Sequence, residues 1–335
     1  MRDAIVCSTM NNTRNIENTV CSAETMSGHP ELYHYTNAAA FESIADSQTL
    51  WCSHYREMLD TEEVLLMRKL LPSAIAPRMD VVVGQLNRQA RRRWKASGGG
   101  TQTALDLVNS LYGATFDGAA VYSALDVYLF SFSTHAGDTA FDRENGLRSQ
   151  WDCYAGCDGY CLIFDTNELV QMLAKEMDSR YWMRLTLDSV RYADRPVHEI
   201  FPELVNASAD TLRQFIHGVK NPEMAVREFL AGTTLLKGAA YKAEREVRIV
   251  AIPGTATVAK YAAIEYPNQF DATKPLPEIG IRPDTKNRYV ALLADLDLRL
   301  PIKRIIVGPG ARQAQHAERA RSKFRDVTIT MSRCS

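Results

Sequence analysis

The 335 residues are 46% hydrophobic and 24% charged, with a formal net charge of -1 at pH 7, the balance of a globular chain with one large core or two smaller ones. A charge so near zero argues against coating nucleic acid or anionic membrane by bulk electrostatics, and leaves only a local basic patch for such a role. Seven cysteines scattered through core-like segments make no secreted disulfide framework and suit a reducing compartment, and no run approaches the roughly twenty apolar residues of a membrane span.

Residues 1–30 are rich in Ser, Thr and Asn and poor in bulky apolar groups, so they read as a flexible leader, with residues 31–335 as a single folded domain. The leader composition suits a generic disordered terminus better than a dedicated secretion signal. Leu32-Tyr33-His34-Tyr35-Thr36 reads as a strand. Thr36 is positioned to cap a helix in which Phe41, Ile44 and Ala45 recur at helical spacing, ending before Thr49-Leu50-Trp51. Residues 62–95 carry a helical pattern with a break from Pro72 to Pro77 and a basic run from Arg88 to Lys95, and Ser97-Gly98-Gly99-Gly100 reads as a flexible joint.

Sheet pattern returns from Val121 to Ser133, then comes a loop from Thr134 to Gly146, and Ser149 to Ala155 allow one or two helical turns. Gly159 to Asp165 form a strand apolar enough to be buried on both faces. Residues 167–240 are mainly helical, with a strand near Leu185 to Tyr192. Strands follow at Glu246 to Ile252, Tyr289 to Leu293, Ile302 to Val307 and Val327 to Met331, with a polar loop from Pro267 to Lys286 and an alanine-rich helix after Gly308-Pro309-Gly310. The fold class is therefore α+β, with helical insertions near 60–118 and 167–240.

Three strands carry polar groups that a buried strand would not choose. Side chains alternate across a strand, so His34, the pair Ser131 and Ser133, and the pair Glu244 and Glu246 can each face one cleft. Singly, each has a bland account: a hydrogen-bonded histidine, hydroxyls on a half-exposed strand, and an edge strand of alternating charge. Against the last, Val247, Ile249 and Ile252 make that strand internal, so its carboxylates must be paired with Arg245 or Arg248 or face a cleft. Arg148 near a helix start can grip a phosphate or be a plain surface arginine, and Gly308-Pro309-Gly310 can cradle phosphate or simply turn. Asp60, Glu62 and Glu63 suit a helix start better than a cation or acceptor site, Cys153, Cys157 and Cys161 lack zinc spacing and read as core, and the Arg88 to Lys95 run suits a solvated helix or contact with RNA, DNA or an acidic protein surface.

Taken together, the YHYT strand and helix, the SFS strand, the Trp and Tyr turn running into GYCLIFD, and EREVRIV resemble an uncharacterised bacterial domain family. That family in turn resembles the ADP-ribosyltransferase superfamily, on the branch of diphtheria toxin and the poly(ADP-ribose) polymerases. The resemblance implies a split mixed sheet and NAD as co-substrate without a metal. It implies Glu246 as the catalytic acid, stabilising an oxocarbenium-like ribose, and Glu244 orienting the acceptor. His34 would bind a ribose hydroxyl with Tyr35 or Thr36 supporting the turn, Ser131 and Ser133 would back the ribose or brace Glu246, and Tyr154 or Trp151 would stack on nicotinamide. It further implies a macromolecular acceptor, protein rather than nucleic acid, and a bacterial toxin, effector or defence protein without membrane insertion, cytoplasmic or delivered into a target cell. Two other classes compete: a catalytically degenerate module that binds a nucleotide or protein, and an RNA nuclease or phosphotransferase using His34 with Arg148.

Overall fold

The computed structural model describes residues 20–58, 62, 64–96, 98–118, 125–216, 225–265, 271 and 273–334. The expectations for Asp60, Glu63, residues 1–19 and the start of the strand pattern at 121–124 lie outside them. The first strands are β1 (Glu31–Thr36), β2 (Leu50–His54), β3 (Tyr128–Ser133) and β4 (Tyr160–Asp165). Next come β5 (Trp182–Ser189), a two-residue pair of β6 (Arg191–Tyr192) with β7 (Leu236–Lys237), and β8 (Glu246–Pro253). The chain closes with β9 (Ile279–Ile281), β10 (Arg288–Leu292), β11 (Ile302–Val307) and β12 (Thr328–Met331).

Ten of these strands form one mixed sheet, and with the intervening helices the fold is α+β. The position of the cleft follows from β3. Along one edge β3 pairs with β8 over its whole length, from Tyr128 opposite Ala251 to Ser133 opposite Glu246. A strand has only one other edge, and two strands share it: β2 takes Tyr128 and Leu129, while β1 reaches only Ser133. Between those contacts the sheet splits. One arm runs β1, β4, β11, β12 and the other β2, β10, β9.

Each face of the β3–β8 pair is covered differently. Phe130, Phe132, Val247, Ile249 and Ala251 enter a core shared with the helices Ala38–Ser47 and Thr166–Ser179. On the opposite face Leu129, Val250 and Ile252 pack under the helical insertions. The first insertion is held by Met67, Leu71, Ile75 and Met79, a stripe repeating every four residues and fully buried. That packing overrides the expected proline break: the helix Leu66–Val83 runs through Pro72 and Pro77. The glycine run is likewise no joint, because Gly99 opens the helix Gly99–Thr115 and Gly98, at φ 102°, is its cap.

The leader expectation changes from residue 20 onward. Val20 is fully buried, Cys21 bridges to Leu187, and the helix Ala23–Gly28 is tied down by Thr25 Oγ1 donating to Asp188 at 2.6 Å. Asn37, not Thr36, caps the next helix, its side chain accepting from the Ala40 amide.

Candidate functional site

A cleft of about 710 Å3 opens at the split and is lined from both arms, among others by His34, Ser131, Tyr154, Lys237, Glu244 and Glu246. Its volume is in the usual range for small-molecule sites, roughly 300–1,000 Å3.

Glu246 begins β8 opposite Ser133 and is buried. Its Oε1 accepts from Ser131 Oγ at 2.5 Å and from Arg248 Nε at 2.7 Å, and its Oε2 accepts from Lys237 Nζ at 3.0 Å. Burial alone would raise its pKa, but the Arg248 and Lys237 cations overcome that and hold the carboxyl at about 2. Glu246 is thus an anion at neutral pH and too weakly basic to take a proton there. A carboxylate has about four lone-pair sites, and these three bonds leave room for one more donor from the cleft.

Arg248 continues the same row, as the strand period requires, and also donates to the Thr234 carbonyl at 3.0 Å. Glu244 does not. It ends a short 3-10 turn, Ala239–Glu244, and Arg245 then turns the chain in the left-handed region at φ 45°. Glu244 meets Glu246 through Lys237, whose Nζ lies 2.6 Å from Glu244 Oε2. Lys237 was invisible in the sequence pattern because it sits inside a stretch that reads as helical. Among the described residues the carboxylates of Glu244 and Glu246 are paired with the cations of Lys237 and Arg248, which is what keeps such charge tolerable away from water.

His34 arrives from the other face. Tyr33 is level with Ser133, so Tyr33 and Tyr35 share the side of Ser131, Ser133 and Glu246, and His34 points opposite, stacked on Phe130 with centroids 4.3 Å apart. It joins the site because the sheet is split there. Its Nδ1 lies 3.0 Å from the Ser131 carbonyl, a group left without a ladder partner at the gap. A carbonyl only accepts, so Nδ1 carries the proton and Nε2 keeps a lone pair. Burial lowers the His34 pKa to about 4, the Ser131 bond opposing it, so the ring is neutral at physiological pH.

The other expected residues divide. Ser133 Oγ donates to the Glu244 carbonyl at 2.8 Å, so both serines brace the acidic corner. Tyr35 lines the cleft while its hydroxyl accepts from the Leu147 amide and contacts His135 Nε2 at 3.0 Å. Thr36 is buried beyond the cleft. Trp151 cannot stack on a ligand: it is fully buried, its indole N–H donating to the Asn145 carbonyl. Tyr154 is 45% exposed, lines the cleft and donates to Glu244 Oε1 at 2.5 Å, so it is the aromatic of that turn available to a ligand. Arg148 does not line the cleft and is paired with Asp152 one turn later at 2.9 Å.

Gly308-Pro309-Gly310 forms no phosphate cradle. Its glycine amides donate to the carbonyls of Gly159 and Cys157, and a Cβ on Gly308 would lie 2.5 Å from the Cys157 oxygen. Cys161 is buried as expected, whereas Cys153 and Cys157 are exposed and Cys153 reaches the cleft. Glu62 pairs with Lys69 on the surface. Arg88, Arg91, Arg92 and Lys95 lie exposed on the helix Arg88–Ala96, around a depression separate from the cleft. Among the described residues there is no cluster of three or more metal-ligating side chains, and no helix is long and apolar enough to cross a membrane.

Fold and cleft together define an α+β protein with an ionised carboxylate at the split of its sheet. Residues 150–249 match a family described as a protein of unknown function (DUF2971). That segment, under half of the chain, holds Tyr154, Lys237, Glu244 and Glu246 but neither His34 nor Ser131. Searches of curated proteins and of solved structures found no match.

Proposed function

We propose that the cleft binds NAD and transfers its ADP-ribose to a macromolecular acceptor, the reaction that the resemblance to the ADP-ribosyltransferase superfamily implies. The observation that carries this reading is Glu246: a buried carboxylate held ionised, with a lone pair to spare, in the same cleft as a neutral His34 whose Nε2 can accept a hydroxyl proton.

In this reading the glycosidic bond of NAD breaks with its electron pair going to the ring nitrogen, so nicotinamide leaves neutral and the ribose carbon becomes an oxocarbenium-like cation. Glu246 stabilises that charge and accepts a bond from a ribose hydroxyl. Its fixed bonds to Ser131, Arg248 and Lys237 mean that it need not reorganise as the charge develops. An acceptor nucleophile then bonds to the ribose carbon and releases its proton to solvent water. Glu244, held by Tyr154 and Lys237, orients it.

The test is incubation of wild type and Glu246→Gln with labelled NAD and a cell lysate, following free nicotinamide and labelled macromolecules. Both signals are expected to fall at least about 100-fold in the variant, the usual cost of losing a preorganised electrostatic group. Label transfer that survives unchanged in Glu246→Gln removes the assignment. Wild type that binds NAD but releases no nicotinamide makes the cleft a binding module instead. The nuclease reading loses its basis, because Arg148 lies away from the cleft that His34 lines.

A further inference from the structure

With Arg148 tied to Asp152 and Lys237 held by Glu244 and Glu246, a second cation of the cleft comes from late in the chain. Arg282 lines it from the turn between β9 and β10, where its backbone N–H donates to the Asn287 carbonyl at 2.8 Å. The guanidinium carbon lies 5.3 Å from the Trp51 ring centroid and 5.7 Å from that of Tyr289, two rings stacked 4.2 Å apart. Its Nη2 donates to Ser53 Oγ at 3.1 Å.

Among the described residues Arg282 has no carboxylate within ion-pair distance. Glu57, which also lines the cleft, is engaged by Arg288 at 3.0 Å. A guanidinium has five N–H donors in a flat fork that matches two oxygens of a phosphate, and the bond to Ser53 uses one. The stack on Trp51 fixes the plane of that fork.

Position matters as much as charge. Ser53 is level with Leu129 on β3 and Glu246 with Ser133, four residues further along. At about 3.3 Å per residue the two levels are roughly 13 Å apart along the strand, so Arg282 and Glu246 stand at opposite ends of one cleft.

We propose that Arg282, with Ser53, is the phosphate subsite of this cleft and holds the diphosphate of a nucleotide whose reacting end lies at Glu246. The proposal deepens the NAD reading and rests on it for the identity of the ligand.

Calorimetric titration of wild type and Arg282→Met with ADP-ribose and with adenosine tests it. Wild type is expected to prefer ADP-ribose, and Arg282→Met to lose about 10- to 100-fold of that affinity, the worth of hydrogen bonds to a charged group, with adenosine binding unchanged. Three results overturn the subsite: no binding of ADP-ribose by wild type, equal binding by the variant, or loss of adenosine in the same proportion, which would make Arg282 a prop for Trp51. Should Arg282→Met fail to fold, Arg282→Lys keeps the charge without the fork and is expected to lose about tenfold, since each 1.4 kcal/mol is a factor of ten. Nicotinamide release by Glu246→Gln, measured in parallel, separates the two readings. Loss of ADP-ribose binding in Arg282→Met with release intact in Glu246→Gln keeps the subsite and discards the transfer chemistry, and the converse pattern does the reverse.

Discussion

Lys237 stands between two carboxylates, and removing it tests whether the acidic corner is one electrostatic unit. In Lys237→Met, Glu244 and Glu246 lose the cation they share while Arg248 still donates to Glu246, and breaking a buried pair typically costs about 3–5 kcal/mol. The denaturant midpoint should fall accordingly; a shift worth under about 0.5 kcal/mol, the level of an ordinary surface change, would show that Lys237 is not the partner that matters. The two aromatics of the neighbouring turn separate in the same way. Trp151→Ala empties a fully buried site and should cost about 3–5 kcal/mol, whereas Tyr154→Ala, at a half-exposed ring, should leave stability nearly unchanged and weaken ligand binding. Equal melting temperatures for the two variants would contradict this division.

Among the elements, the helix Ala23–Gly28 is fastened to β5 by two hydroxyls, Ser22 Oγ and Thr25 Oγ1 both donating to Asp188 Oδ1. Thr25 is buried, donates to Asp188, and accepts from the Ser189 amide at 3.1 Å. Thr25→Val keeps the shape and leaves Asp188 with Ser22 Oγ and the Ser189 amide as donors, so losing the Thr25 bond should cost about 0.5–1.5 kcal/mol in chemical unfolding. An unaltered midpoint would mean that the Thr25 hydroxyl contributes nothing to the docking of this helix on β5. The strand β3 shows the opposite economy: a single element serves three neighbours, and the short stretch it leaves unpaired is where His34 enters.

At the scale of the whole molecule, two histidines and Glu246 contribute to the response to acid. Burial lowers both His34 and His135 to about 4, from an ordinary value of 6.5. The unfolded chain therefore binds protons that the folded one refuses between pH 6.5 and 4, and stability falls as the pH drops through that window, by roughly 1.4 kcal/mol per pH unit for each histidine. Glu246, held at about 2 against an ordinary 4.5, extends the loss below pH 4.5. Melting temperatures measured from pH 7.5 to 4 should decline, and replacing both histidines with Gln should flatten the curve. A wild-type curve that stays level over that range would show that the imidazoles are not held neutral by burial.

Much of the fold was legible in the chain because alternation and helical period are local properties. The phenylalanines and serines of β3 fall on opposite faces as their spacing requires, Glu246 and Arg248 share a row, and His34, Ser131 and Glu246 line one cleft. Local pattern says which way a side chain leaves the backbone. It does not say how deep it ends, nor what meets it there. Trp151 and Tyr154 read alike in sequence, yet one turn of chain sends the first into the core and the second to the cleft. Lys237 and Arg282 carried no motif at all, since each acts through partners brought near by strand register and by the divergence of β1 and β2. Steric alternation along the chain is enough to set the elements and their faces. Only the tertiary structure decided which charges neutralise one another and which cation is left facing the cleft, because burial and pairing are set by contacts between residues far apart in the chain.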